Sequence, residues 1–293
     1  MKKIPYNFLG IPEVSFKEAR FAILPIPFEA TTSCLTGTRE GPFAIISASN
    51  YIELYDEELD AEPYLAGIKT LPQEPPDYKS LKQMAFRIKR TVARCIKDNK
   101  IIVGLGGEHT VSLGIVEAYH QKYPDIKVIS FDAHADLRNS YQGTKYSHAC
   151  VMRRILEQGI EAYLAGVRSI SKQEKEYLET TEKVKAMFAC RMDSNWDVSF
   201  DSILPSGNYY ISFDLDFFDP SILPETGTPE PGGFQWNETI RFLRRFITRQ
   251  NITVVGFDVV ELSPSKNVTP SSFLAAKLIY KMMGMIASKN KFL

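Results

Sequence analysis

The chain has 293 residues, 44% of them hydrophobic, and sets 35 Lys and Arg against 35 Asp and Glu. That apolar content supplies a full core and leaves no compositional case for disorder, while formal neutrality removes the electrostatic argument for nucleic acid or an anionic membrane as the main partner. Cys34, Cys95, Cys150 and Cys190 form no Cys-x-x-Cys pair, so buried reduced thiols are expected rather than disulfides or a structural zinc site.

In chain order, Met1 to Tyr6 lack the apolar core of a signal peptide, and no stretch approaches the ~20 apolar residues that span a bilayer, so a cytoplasmic location is expected. A β-branched and aromatic run predicts a strand over Phe21–Leu24, followed by a helix over Gly41–Tyr51. Leu71 to Asp77 is Pro-rich and reads as a loop, too close to the start of the chain to leave a stable domain before it. Tyr78–Lys97 reads as an amphipathic helix whose Lys82, Arg87, Lys89, Arg90 and Arg94 form a solvated face. Then alternate a strand at Ile101–Val103, a helix at Val111–Tyr123, a strand at Lys127–Phe131 and a helix at His148–Glu157. Strands at Ala162–Val167, Ala186–Ala189 and Tyr209–Phe213 precede a helix at Asn237–Arg249, a strand at Ile252–Phe257 and a helix at Pro270–Ile286. Alternating strands and helices predict an α/β fold around a mostly parallel sheet, with residues 1–293 as one domain.

In such sheets ligands bind beyond the carboxyl ends of the strands, and four strands here end in polar clusters. Gly104-Leu105-Gly106-Gly107-Glu108-His109-Thr110 places His109 at the sheet edge, where a neutral imidazole can ligate metal. Ser130-Phe131-Asp132-Ala133-His134-Ala135-Asp136 runs an apolar strand into three potential ligands, which period-two alternation directs to one side if the extended conformation persists. Ile211-Ser212-Phe213-Asp214-Leu215-Asp216 repeats the device, whereas Asp219 before Pro220 reads as a turn residue capping local backbone.

Carboxylates gathered on one face oppose one another's ionisation unless a counter-ion is present. Two histidines and four aspartates make a hard, mainly oxygen donor set suited to Mn²⁺, and four negative charges are balanced by two divalent ions. Two such ions about 3.5–4 Å apart activate a bridging water, so hydrolysis is the expected reaction class. His148 lies where it could reach back as a proton shuttle or serve as a capping or buried histidine. At the end of the last strand, Asp258 or Glu261 could pair bidentately with a planar guanidinium, and local sequence does not choose between them.

With these residues in place the chain resembles the ureohydrolase family of arginases and agmatinases, most closely bacterial and archaeal agmatinases. The likeness spans nearly the whole chain and includes Gly106-Gly107-Glu108-His109, Asp132-Ala133-His134-Ala135-Asp136, Asp214-Leu215-Asp216, Thr226-Gly227-Thr228-Pro229-Glu230-Pro231-Gly232-Gly233 and Val259-Val260-Glu261. The resemblance implies a three-layer α/β/α fold, two Mn²⁺ ions per subunit and a homo-oligomer, trimer or hexamer. By the same likeness His109 and Asp136 hold one ion, His134 and Asp216 the other, and Asp132 and Asp214 bridge them. His148 matches the catalytic histidine, Glu261 the guanidinium-binding glutamate and Thr228 a pocket residue near the guanidinium. The implied reaction is attack of a metal-bridging hydroxide on the guanidinium carbon of agmatine, releasing putrescine and urea, with Asp136 and His148 passing a proton to the leaving amine.

Three places depart from relatives. Gly166-Val167-Arg168 runs into Ser169 and Ser171 where arginases carry aspartates, and the usual Pro-x-Tyr-Asp after the glutamate is Pro264-Ser265-Lys266-Asn267. Glu225 is an acidic residue near the mouth, able to favour a cationic tail or to be a solvated loop charge. The alternatives to agmatine are therefore N1-aminopropylagmatine, guanidinobutyrate and arginine, and beyond the family a metal-dependent deacetylase.

Overall fold

The computed structural model describes residues 6–191 and 196–293. Among them, strands β1 (Phe21–Ile26), β2 (Ile68–Thr70), β3 (Ile101–Gly106), β4 (Lys127–Phe131), β5 (Glu161–Val167), β6 (Val184–Phe188), β7 (Gly207–Asp214) and β8 (Ile252–Val260) form one all-parallel sheet in the order β2-β1-β3-β8-β7-β4-β5-β6. Parallel pairing requires crossovers, and these are supplied by α1 (Gly41–Ser49), α2 (Leu81–Lys97), α3 (Val111–Lys122), α4 (Val151–Glu157), α5 (Lys172–Glu179), α6 (Trp196–Ser202) and α7 (Trp236–Thr248), with α8 (Pro270–Lys289) closing the chain.

Strand alternation divides the core into two layers. Phe21, Ile23, Ile129, Phe131, Ile211, Phe213, Phe257 and Val259 pack with residues of α1, α7 and α8 on one face. Ala22, Leu24, Ile102, Val128, Ala162 and Leu164 pack with α2, α3 and α4 on the other. Helices therefore cover both faces, and near-continuous apolar strands such as β1 are buried at every position.

Seven of these strands and six of the helices were legible in the sequence, with ends shifted by a few residues. β2 was missed because three edge residues carry no pattern. α5 was missed because Lys172–Glu179 is polar and buries only Glu174; its signal is a capping box between Ser171 and Glu174 rather than periodicity. The helix expected from His148 begins as a 3₁₀ turn, His148–Cys150, and becomes α-helical only at Val151. Of the four cysteines, all free, Cys95 and Cys150 are buried, but Cys34 and Cys190 are exposed because they lie in loop and turn segments outside the packed elements. No helix among the described residues is long and apolar enough to cross a membrane.

The four central strands, β3, β8, β7 and β4, are the ones that end in the polar clusters. The chain leaves β3 for β4 and only later returns to fill the gap between them with β7 and β8. That reversal of strand order makes the crevice in which ligands of parallel sheets bind.

Candidate active site

Beyond β3 the chain bends sharply toward the loop after β1: Gly107 N donates to the Ile26 carbonyl and Glu108 N to the Phe28 carbonyl, each at 2.9 Å. A Cβ on Gly107 would sit 2.0 Å from the Phe28 carbonyl oxygen, a backbone atom that cannot swing away. Gly107→Ala is accordingly expected to destabilise the fold by about 3 kcal/mol, read from the midpoint of urea unfolding at unchanged slope.

β4 continues into Asp132, whose N donates to the Ala165 carbonyl at 3.0 Å, and His134 still bridges to Ser169. Asp136 does not continue the pleat; it is left-handed, with φ 51°. The same-side placement expected from alternation therefore carries through His134 only, and a backbone turn brings Asp136 in. Asp216 likewise arrives by a turn: Asp214 Oδ1 accepts from Asp216 N at 2.9 Å and caps the 3₁₀ segment Leu215–Phe217. Arg168 pins that turn by donating to the Asp216 carbonyl at 2.6 Å and to the Glu230 carbonyl at 3.0 Å. Glu261 follows β8 directly, also left-handed with φ 65°, and its Oε1 accepts from His109 N at 2.7 Å. Left-handed non-glycine residues cost about 1–3 kcal/mol and persist where the surroundings over-determine them.

The result is a double nest of donors. His109 Nδ1 lies 2.9 Å from Asp136 Oδ2, 3.2 Å from Asp132 Oδ2 and 3.5 Å from Asp214 Oδ2. His134 Nδ1 lies 2.9 Å from Asp216 Oδ2 and 3.5 Å from Asp132 Oδ1. Two cation-sized groups follow, His109/Asp132/Asp214 and Asp132/His134/Asp216, the ligand atoms of each within 4.8 Å of one another. Asp132 belongs to both and offers one oxygen to each histidine.

Electrostatics describe the same need. Burial, Asp216 and Asp132 push the Asp214 carboxyl well above its ordinary range, and burial and Asp132 push Asp136 up to about 7. Burial opposes charge on His109 and His134, yet the neighbouring aspartates outweigh it and hold both imidazoles well above their usual range. Burial also opposes ionisation of Asp132, but His109 and His134 pull its pKa down. Among the described residues His109 Nδ1 and Asp132 Oδ2 are buried without an aligned hydrogen bond, although they stand 3.2 Å apart. Orphaned donor atoms in a carboxylate-rich nest fit divalent cations, which would relieve the repulsion that protons now absorb.

Behind this nest His109 Nε2 lies 2.9 Å from Ser212 Oγ, which donates to Asp258 Oδ1 at 2.9 Å, while Tyr210 donates to Asp258 Oδ2 at 2.7 Å. Asp258 thus orients a histidine from below, whereas Glu261 lines the cavity above. That cavity, about 190 Å³, is also lined by His109, His134, Asp136, Asp214, His148 and Thr228. His148 is held by Thr31 and packs edge-on to Tyr141, ring centroids 5.8 Å apart, with the Arg138 guanidinium 5.0 Å from the Tyr141 centroid. Burial and the charges of His109 and His134 lower the His148 pKa to about 4. A second cavity of about 170 Å³ shares His134, Asp136, Arg138, Ala149 and Ser169 and ends at Glu174.

Of the nine residues singled out from sequence, seven line this cavity, and the other two, Asp132 and Asp216, contact its histidines His109 and His134. Glu225 does neither: its carboxylate accepts from Ser265 N at 2.9 Å and from the Thr269 hydroxyl, so it ties down the 263–269 loop rather than the pocket. Asp219 caps backbone as expected, accepting from the N–H groups of Ser221, Gly232 and Gly233. Sequence reasoning missed Glu108, Thr31, Ser212 and Asp258's place behind His109. Glu108 and Ser212 sit inside the quoted motifs, beside ligands; Thr31 carries no local signal.

The arginase family model matches residues 19–284. The chain is 36% identical over 290 residues to the N(1)-aminopropylagmatine ureohydrolase of a Synechocystis species, covering 96% of this chain and 94% of that protein. It is 37% identical over 300 residues to the agmatinase of Pyrococcus horikoshii, covering 95% and 96%. Among solved structures, the agmatine ureohydrolase of Thermoplasma volcanium superposes with a TM-score of 0.86 at 30% identity, over 95% of this chain and 93% of that one. At 21% identity and a TM-score of 0.75 over 90% and 98%, the arginase of Bacillus subtilis shares the fold. On matches of this extent, the chain belongs to the arginase family.

Proposed function

We propose that the chain, a hydrolase of the arginase family acting on guanidino groups, uses two Mn²⁺ ions to hydrolyse agmatine to putrescine and urea. One observation carries the reading: two ligand groups sharing Asp132 open, with Glu261, onto a single cavity. His109 and Asp136 would hold one ion and His134 and Asp216 the other, with Asp132, which belongs to both ligand groups, and Asp214 completing the set. When bound, the pair supplies Lewis acidity and an activated water.

The remaining work falls to side chains of this chain. Glu261 is buried, and burial together with Glu108 raises its pKa well above the ordinary range. A guanidinium opposite it therefore restores a compensated pair with two parallel N–H···O bonds and fixes the plane of the substrate. Thr228, which donates to Asp216 Oδ2 at 3.5 Å, lines the wall beside that plane. His148 stands neutral at the cavity edge and relays the proton to the leaving amine.

Urea release from agmatine, N1-aminopropylagmatine, guanidinobutyrate and arginine in the presence of Mn²⁺ tests this, with agmatine expected to give the highest kcat/KM. Absence of urea from all four overturns it. N1-aminopropylagmatine is the second reading, favoured by the cavity that runs past Arg138 and Ser169 to the buried Glu174 carboxylate and lengthens the space for a cationic tail. A kcat/KM for the aminopropyl compound at least tenfold above that for agmatine decides for it. Assembly as a trimer or hexamer belongs to the same proposal and is read by light scattering.

A further inference from the structure

His148 is reached from behind by a chain of hydrogen bonds that starts at a residue with no evident part in the reaction. Glu108 is fully buried, and its carboxylate accepts from Ala30 N at 2.7 Å, Thr31 N at 2.6 Å, Thr31 Oγ1 at 2.9 Å and Thr110 Oγ1 at 2.6 Å. Thr31 Oγ1 in turn accepts from His148 N at 3.0 Å and lies 3.1 Å from His148 Nδ1. Three partners therefore meet one hydroxyl, which has a single proton and two lone pairs.

The proton has one destination. A carboxylate receiving four donors only accepts, so the Thr31–Glu108 contact uses the Thr31 hydroxyl hydrogen. Both Thr31 lone pairs are then left for His148, one for its backbone N–H and one for Nδ1. A lone pair facing Nδ1 at 3.1 Å makes a hydrogen bond only if Nδ1 carries the proton. Ser147 Oγ, 3.3 Å from Nδ1, suits either tautomer, donating to a bare Nδ1 or accepting from Nδ1–H, so the shorter contact with the Thr31 lone pair decides the assignment.

We propose that Thr31, anchored by Glu108, is a positioning residue that fixes His148 as the Nδ1–H tautomer and leaves Nε2 as the unprotonated nitrogen for proton exchange in the cavity. This rests on the reading of His148 as the proton relay. Without the hydroxyl the neutral ring divides between two tautomers and loses an anchor of its orientation, so the fraction competent to take a proton at Nε2 falls. The device links the loop after β1 to the 3₁₀ turn at His148–Cys150, two segments that share no secondary structure.

Two measurements test it. In two-bond ¹H–¹⁵N spectra of the full chain without added metal, with His148 assigned by its loss in His148→Ala, the Nδ1–H pattern is expected; an Nε2–H pattern overturns the proposal without any change at Thr31. In Mn²⁺-loaded enzyme, Thr31→Val is expected to lower kcat about 10- to 100-fold with KM and metal content within threefold, and Thr31→Ser to restore kcat to within about threefold. Equal losses in Thr31→Val and Thr31→Ser make the role one of packing and overturn it, as does an unchanged kcat in Thr31→Val when His148→Ala is impaired. If His148→Ala itself retains full kcat, the relay reading of His148 has failed, an outcome distinguishable because the spectrum still reports the tautomer.

Discussion

Glu261→Gln is expected to lower kcat/KM for a guanidino substrate by roughly 30- to 5000-fold, the equivalent of the about 2–5 kcal/mol lost when one member of a buried charged pair is removed. The amide keeps the shape and still accepts from His109 N, the bond that the carboxylate makes at 2.7 Å, so the loss reports charge rather than collapse. Stability of the metal-free chain moves the other way. Burial and Glu108 already penalise the Glu261 carboxylate, so at alkaline pH the glutamine variant should unfold at an equal or higher temperature than the parent. Steady-state kinetics and a melting curve on the same preparation decide it. An unchanged kcat/KM would remove guanidinium recognition from Glu261 and favour the amide-hydrolase alternative.

Metal-free protein should lose stability between about pH 5 and 8, and Mn²⁺ should restore it most at the alkaline end. Asp136 holds its proton to about 7 in the fold against an ordinary 3.8, so between those values the folded chain binds the extra proton and its stabilisation is lost as pH rises. His109 and His134 have pKa values raised well above 6.5, so their contribution is present in full below 6.5 and declines above it, with the same sign. The raised carboxyls of Asp214 and Glu261 act in that direction too, and the lowered pKa of His148 opposes them only between about 4 and 6.5. The lowered pKa of Asp132 acts only in more acid solution, where its stabilisation is lost as pH falls. Divalent ions replace those protons. At free metal a thousandfold above its dissociation constant the gain is about 4 kcal/mol, on the order of 10 °C in Tm for a protein of this size. A metal-free Tm that rises from pH 5 to 8, or a Mn²⁺-induced shift no larger at pH 8 than at pH 6, would falsify the two-ion nest.

Most of the architecture was readable because strand and helix periods differ and because a parallel sheet writes its buried strands as apolar runs. Lys127–Phe131 was read to the residue. What escaped lacked that signature: β2 has three residues, α6 has only seven, and α5 is held by Ser171, Glu174 and the contacts of its own cap rather than by an apolar face. The site was legible to the extent that its groups are adjacent in sequence. His109, Asp132, His134 and Asp214 stand at or just beyond strand ends, where topology brings them together, and a 3₁₀ turn adds Asp216. The turns that aim Asp136 and Glu261 require positive φ at non-glycine residues, which composition does not announce. Glu225 stayed open between pocket and loop because an acidic residue near the motif has no direction in sequence; three hydroxyl and backbone partners on the 263–269 loop turn it away from the pocket. Thr31 was invisible, since its value lies in a contact between distant loops.

The order in which the strands lie has a consequence for how the protein comes into being. β3 and β4 are made first but end up separated, and β7 and β8, which follow much later in the chain, slide between them. The two histidines are consequently present long before Asp214, Asp216 and Glu261, and nothing holds them in register until the gap is filled. A growing or truncated chain ending before β7 would carry four of the six proposed ligands, without Asp214 and Asp216 and with no enclosure, so metal capture would mark the completion of folding rather than its nucleation. Insertion of central strands also demands contacts far apart in sequence, the kind that form slowly and leave an open sheet edge in the meantime.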